Sequence, residues 1–139
     1  MNWDNKKEVL EIVKNDGYNL RYASDKLKND FEVVMEAVKN SGKVLEWASD
    51  RLKDNKEIVL EAVKNDGRAL MSVSDRFKND KDVVMEAVKQ TKWAFGYAGD
   101  KIKEQFPTVE KLLASEKEIA KSNPWEAKIS NDKDNQWER

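Results

Sequence analysis

Apolar residues recur along this chain in a two-part rhythm. Val9, Leu10, Ile12 and Val13 set it first. Val34, Met35, Ala37 and Val38 repeat it, then Val59, Leu60, Ala62 and Val63, then Val84, Met85, Ala87 and Val88. Each quartet falls at i, i+1, i+3 and i+4, which is one face of an α-helix and not the strict alternation of a strand. A sparser set follows each quartet: Leu20, Ala23 and Leu27; Leu45, Ala48 and Leu52; Leu70, Val73 and Phe77; Phe95, Ala98 and Ile102. Spaced i, i+3, i+7, these mark a second stripe.

Both stripes return every 25 residues, a spacing shared by Gly17, Gly42 and Gly67, with Lys92 at the same place in the fourth copy. Four units result: 5–29, 30–54, 55–79 and 80–104. A period of about 20–50 residues is the signature of stacked repeats. One unit carries too few apolar side chains to offset the ordering of its own backbone, so neighbours must stack. The fold class expected is all-α: two-helix repeats in an α-solenoid-like array, four clear units plus a degenerate capping unit.

Local signals refine each unit. Asn5, Asp30, Asn55 and Asp80 precede the first stripe and offer a side-chain oxygen to a helix start. The first helix is predicted over about 6–15 and its equivalents. The three glycines that follow are expected to end it in the left-handed conformation. Ser24, Ser49 and Ser74, each followed by Asp, interrupt the second stripe. The second helix is either continuous or broken and restarted at that step.

Beyond residue 104, Val109, Leu112 and Leu113 continue the first stripe, with Pro107 suited to a first helical turn. Residues 105–121 are read as a degenerate fifth unit that caps the stack, with Ser115 and Glu118 as a capping box for its last piece. Together 1–121 form the repeat domain and 122–139 a tail. In the tail, Trp125 is expected to pack back on the fifth unit and Trp137 to stay mobile. At the other end Trp3 either covers the first unit or belongs to a loose terminus.

Composition narrows the function. Lys and Arg total 26 against 27 Asp and Glu, a net charge of −1, so no global field favours nucleic acid or an anionic membrane. Cysteine and histidine are absent, which removes thiolate chemistry and the commonest general base and metal ligand. No Ser-His-Asp set, zinc motif or phosphate loop is present. No cofactor and no metal site are expected, and the chain is read as a non-enzyme. No apolar run is long enough for a membrane span or a secretory leader, so a cytoplasmic location is expected.

Three cationic columns run through the repeats: Lys14, Lys39, Lys64 and Lys89; Lys28, Lys53, Lys78 and Lys103; Lys26, Arg51, Arg76 and Lys101. Acids lie three residues before the first two columns, Glu11, Glu36, Glu61 and Glu86 before one and Asp25, Asp50, Asp75 and Asp100 before the other. Such i, i+3 pairs are ordinary helix-surface partners. Phosphate binding needs uncompensated cations, so the columns read as solvated faces. The Asp ladder offers one carboxylate per unit, too widely spaced to chelate a metal.

The positions that vary between copies are more informative. Tyr18, Arg21 and Tyr22 in the first unit become Lys43, Glu46 and Trp47, then Arg68, Met71 and Ser72, then Trp93, Gly96 and Tyr97. Spaced i, i+3, i+4, each triplet is placed on one side of the second helix, and stacking turns them into a strip. Aromatic residues and Arg are the usual anchors of protein interfaces. For the column of Tyr22, Trp47 and Tyr97, packing between units is the favoured reading, whereas Tyr18 and Trp93 are harder to bury because Lys43 and Arg68 share their column.

The words DFEVVMEAVKNSG, NKEIVLEAVKNDG and DKDVVMEAVKQTK, followed by LRYASDKLKND, LEWASDRLKDN, LMSVSDRFKND and FGYAGDKIKEQ, resemble a family of short helical repeats known only as a domain of unknown function. The family occurs in bacteria and large DNA viruses. The resemblance covers about 5–104 and implies a helical array, with no catalytic residues to carry over. The expected function is a non-catalytic module that binds another protein. The alternatives are a small inhibitor of a host enzyme, encoded by a mobile element or phage, and a nucleic-acid-binding repeat protein.

Overall fold

The structure is a computed structural model of the whole chain and describes residues 1–122. The readings made for Trp125 and Trp137 lie outside the described residues. The chain divides into two compact units, Met1–Gln105 and Phe106–Arg139.

In the first, every 25-residue repeat contains three helical pieces. A ten-residue helix comes first: α1 (Lys6–Asn15), α3 (Phe31–Asn40), α5 (Lys56–Asn65) and α7 (Lys81–Gln90). A six-residue 3-10 segment follows, at Gly17–Tyr22, Gly42–Trp47, Gly67–Ser72 and Lys92–Tyr97. A short α-helix closes the repeat: α2 (Asp25–Lys28), α4 (Asp50–Lys53), α6 (Asp75–Lys78) and α8 (Asp100–Gln105). The second helix of each repeat is therefore broken at the Ser-Asp step, and its first part is wound as 3-10. Like pieces stack on like: α1 on α3, α3 on α5, α5 on α7, with the 3-10 segments in a second row beside them.

The starts of the long helices are capped as their residues predict. Asn5, Asp30 and Asn55 accept from the N–H groups of Glu8, Val33 and Ile58 at 3.0–3.1 Å, and Asp80 from those of Asp82 and Val83. The ends differ from expectation. No glycine among the described residues has a positive φ. Each long helix stops at one extended residue: Asp16, Ser41, Asp66 or Thr91, with φ between −147° and −151°. That residue turns the chain into the 3-10 segment, so the fourth helix ends at Thr91 as the others do although Lys92 follows it.

The glycines serve the packing between repeats. A Cβ on Gly17 would lie 2.5 Å from the carbonyl oxygen of Ala37 in the next repeat, and one on Gly67 2.6 Å from that of Ala87. A Cβ on Gly42 would come closer still to the Ala62 carbonyl. The 3-10 backbone thus rests directly on the next long helix. The contact is latched by asparagine: Asn40 Oδ1 accepts from Gly17 N–H at 2.7 Å while its amide donates to the Lys14 carbonyl at 3.4 Å. Asn65 repeats this with Gly42 and Lys39, at 2.6 and 3.1 Å.

The first repeat is built as an end. Val33, Ile58 and Val83 are fully buried, as are Val44 and Ala94, with Ala69 nearly so. The same slots in the first repeat hold Glu8, which is exposed, and Asn19. Burial at these positions exists only where another repeat precedes, and the first repeat presents polar groups there, as a terminal repeat must.

Residues 1–4 complete that end. Ser49, Ser74 and Gly99 each donate their N–H to the carbonyl of the Lys at the end of the preceding repeat, Lys28, Lys53 and Lys78, at 2.8–3.1 Å. Ser24 has no such repeat before it, and its N–H donates to the carbonyl of Trp3 at 2.9 Å. Its hydroxyl donates to Asp4 at 2.8 Å, as Ser49 does to Asn29 at 2.6 Å and Ser74 to Asp54 at 2.5 Å. The lead-in takes the place that the last turn of the preceding repeat takes in the other copies.

Charge pairing also runs between repeats. Lys6 reaches Asp30 and Glu32 at 3.1 Å each, and Lys56 reaches Asp80 and Asp82 at 3.0 and 3.4 Å. Arg76 bonds both the carboxylate and the carbonyl of Asp54, at 2.5 and 2.8 Å. The Arg76 guanidinium and the Ser74 hydroxyl hold the Asp54 carboxyl below its ordinary range, and Arg68 does the same to Asp66. A carboxyl depressed in the folded state contributes stability above its unfolded value of about 3.9 and loses it as the pH falls through the folded value. Asp54→Asn, which installs the residue found at 29 and 79, is therefore expected to lower Tm at pH 7, with the gap to the parent narrowing as the pH falls below the ordinary carboxyl value. Thermal melts at pH 7, 4 and 3 check this; a gap independent of pH would mean that the charge on Asp54 contributes nothing.

In the second unit the described part contains α9 (Val109–Ser122). Thr108 caps it, accepting from Lys111 N–H at 3.2 Å, so Pro107 lies before the helix and not in its first turn. Ser115 sits inside α9 with its hydroxyl donating to the Leu112 carbonyl at 2.6 Å. The helix runs straight through that point, and the capping box expected from Ser115 and Glu118 does not form.

Candidate functional site

The varied triplets all fall on the 3-10 segments, between the residues that anchor them. Leu20, Leu45 and Leu70 point into the core and are fully buried. A 3-10 turn holds about three residues, so i and i+3 eclipse one another. Tyr18 and Arg21 therefore share a line, as do Lys43 and Glu46, Arg68 and Met71, and Trp93 and Gly96. Tyr22, Trp47, Ser72 and Tyr97 stand beside these lines and not on them. The strip read as one helical face is two neighbouring rows.

Solvent reaches much of both. Tyr18 is 42%, Tyr22 53%, Met71 55% and Trp93 56% exposed, against near-complete burial of the leucines between them. Arg21, Glu46 and Arg68 are exposed, and Lys43, Trp47 and Tyr97 half-buried. The aromatics form two groups. At the N-terminal end, Trp3 packs on Tyr22 at 5.4 Å between ring centres, and Tyr18 meets Trp47 of the next repeat edge-on at 5.8 Å. Arg21 joins them, its guanidinium 5.0 Å from the Tyr22 ring centre and 5.8 Å from that of Trp47. Five side chains thus run together from the lead-in to the second repeat. In the fourth repeat Trp93 meets Tyr97 edge-on at 5.7 Å.

Between these groups the strip has no aromatic ring and carries Arg68, Met71 and Ser72. Arg68 is turned onto Asp66, with Nη2 at 2.7 Å from the carboxylate. The Asp66 carboxylate keeps the Arg68 guanidinium firmly protonated.

A cleft of about 440 Å³ opens at the junction of the first two repeats, lined by Asp25 and Lys28 on one side and by the run from Glu46 to Asp50 on the other. Trp47 forms part of its wall. Sequence reasoning placed Glu46 and Trp47 in the strip but did not join them to Asp25 and Asp50. The repeats bring these together across about twenty residues of chain, and only the stacking register reveals it.

Five of the twelve cations in the columns have partners. Lys89 pairs with Glu86 at 3.8 Å and Lys78 with Asp75 at 3.9 Å, the expected i, i+3 partners. Arg51 is held by Asn29, Arg76 by Asp54, and Lys103 donates to the Gly96 carbonyl at 2.8 Å. Among the described residues no three Asp or Glu side chains gather in a metal-binding arrangement, and no helix is long and apolar enough to cross a membrane.

A family model described as a domain of unknown function, DUF4116, matches residues 5–53 and again 55–103. No curated protein and no solved structure gives a significant match. Each matched segment spans two of the 25-residue repeats, so one family domain corresponds to a stacked pair. Together the segments take in most of the sequence, and the chain belongs to the DUF4116 family of domains of unknown function.

Proposed function

We propose that the protein is a non-catalytic module that binds another protein through the two rows on its 3-10 segments. The observation that carries this reading is the exposure of Tyr18, Tyr22, Met71 and Trp93 on a frame whose neighbouring apolar residues are buried. Large aromatics and Met left in water on a rigid backbone supply contact area at low entropic cost when a partner covers them. The frame is shared by the copies while the row residues differ, as expected of a scaffold that carries a specific surface.

A photo-reactive residue placed at position 71 or 93 should cross-link a defined partner in the cell of origin, whereas the same group at exposed position 57 on α5 should not. Equal labelling from all three positions would remove the reading. Trp93→Ala should weaken the captured complex about tenfold or more, the scale of an interface hot spot. Its Tm should stay close to the parent's, because the ring is more than half exposed. A large loss of Tm would make Trp93 a structural residue.

A further inference from the structure

The cleft between the first two repeats has a chemical character of its own. We propose that it receives a cationic side chain, arginine or lysine, from an extended segment of the partner. This rests on the protein-binding reading above and names the chemistry of one contact within it.

Three carboxylates border the cleft: Asp25 from α2, Glu46 from the 3-10 segment and Asp50 from α4. Lys28 is the single cation among the lining residues. None of the three carboxylates has an ion-pair or side-chain hydrogen-bond partner among the described residues, unlike Asp30, Asp54, Asp66 and Asp80 elsewhere in the array. An acidic border alone says little, because charged helix ends are commonly just solvated. Here it surrounds the half-buried Trp47. An indole beside carboxylates suits a group with an apolar stem and a positive head. The chain supplies its own example, since Arg21 already rests 5.8 Å from the centre of the Trp47 ring.

The corresponding positions at the later junctions lack the combination. At the next junction Glu46 and Trp47 are replaced by Met71 and Ser72, and at the last by Gly96 and Tyr97. The Asp column continues through Asp75 and Asp100, but the indole and the third carboxylate do not. The first junction is thus singled out by residues that the repeat frame does not require. An acidic segment would meet three like charges, so charge complementarity selects a basic one.

The test uses the full chain labelled with 15N and three blocked pentapeptides, glycine with a central Arg, Lys or Glu. The Arg and Lys peptides should give saturable shift changes centred on the Trp47 indole N–H and the amides of Ala48 to Asp50, weakened by added salt. Glu46→Gln should reduce their affinity about threefold and Glu46→Lys about tenfold or more, with the amide spectrum otherwise preserved. Equal binding of the Glu peptide, changes centred elsewhere, or no saturable change for either basic peptide would each overturn the proposal. Cross-linking from positions 71 and 93 judges the protein-binding reading separately: a partner captured there with no basic-peptide binding at Trp47 would sink only the cationic contact.

Discussion

Replacing Gly42 with alanine is expected to cost about 3 kcal/mol of stability and to lower Tm by roughly 10 °C. Gly42 is buried, and the added methyl would meet the carbonyl of Ala62 and the N–H of Asp66, both backbone atoms of the next repeat. Backbone in a packed helix cannot rotate aside as a flexible side chain can, so α5 would have to move away from the 3-10 segment. That movement would also strain the bond from Gly42 N–H to Asn65. Gly96 provides the control. It lies in the 3-10 segment of the fourth repeat, and a Cβ there meets nothing within 4 Å. Gly96→Ala should be neutral or stabilising by up to about 1 kcal/mol, through the lower entropy of the unfolded chain. Denaturant titration of both variants reads the difference. Similar losses in the two would show that glycine matters for local conformation and not for the approach of one repeat to the next.

This pair also shows where the sequence was a sufficient guide and where it was not. The long helices were legible to the residue, because two local signals coincide: a capping Asn or Asp, then an apolar face at helical spacing. The 25-residue period announced stacking. The meaning of the glycines was hidden, since a glycine after a helix is usually a left-handed terminator, and nothing local says that another backbone lies against it. The terminator is instead the extended residue before it, a Ser, Asp or Thr with no strong signal of its own. Val33, Ile58 and Val83 lie outside the apolar quartets, and the first copy has Glu8 at that place. Comparing the first copy with the rest would have found them, as the polar exceptions Glu8 and Asn19 mark the outer face of a terminal repeat.

The site divides in the same way. That Tyr18 and Trp93 stand in a column with Lys43 and Arg68 was enough to expect them in solvent, and both are there. The 3-10 winding was not legible, because i, i+3 spacing suits either helix type, and it splits the supposed single face into two rows. The contact of Tyr18 with Trp47 and the cleft joining Asp25 to Glu46 depend on the register between repeats. That register is set by the glycine approach and the asparagine latch, neither of which has a pattern within one repeat.

The latch itself carries the second large effect. Asn65→Ala should lower stability by about 2 kcal/mol. The substitution removes the acceptor of the Gly42 N–H, bonded at 2.6 Å, and the donor to the Lys39 carbonyl, bonded at 3.1 Å. The two losses are unequal. The Lys39 carbonyl lies in the last turn of α3, where residues are exposed, and water can replace the asparagine amide. Gly42 is buried beneath the next helix, and its N–H is left without a partner, which is the costly outcome for a polar group. Asn15 is the matched control: the same residue at the same slot, at the end of α1, with no full repeat before it to latch. Asn15→Ala should change stability by no more than about 0.5 kcal/mol, as at other exposed positions. Asn40→Ala should resemble Asn65→Ala, because Asn40 holds Gly17 at 2.7 Å in the same way. Chemical denaturation of the three single variants separates the explanations. Equal losses for Asn15 and Asn65 would assign the effect to the helix ends themselves, whereas losses at 40 and 65 alone would place it in the bond between one repeat and the next.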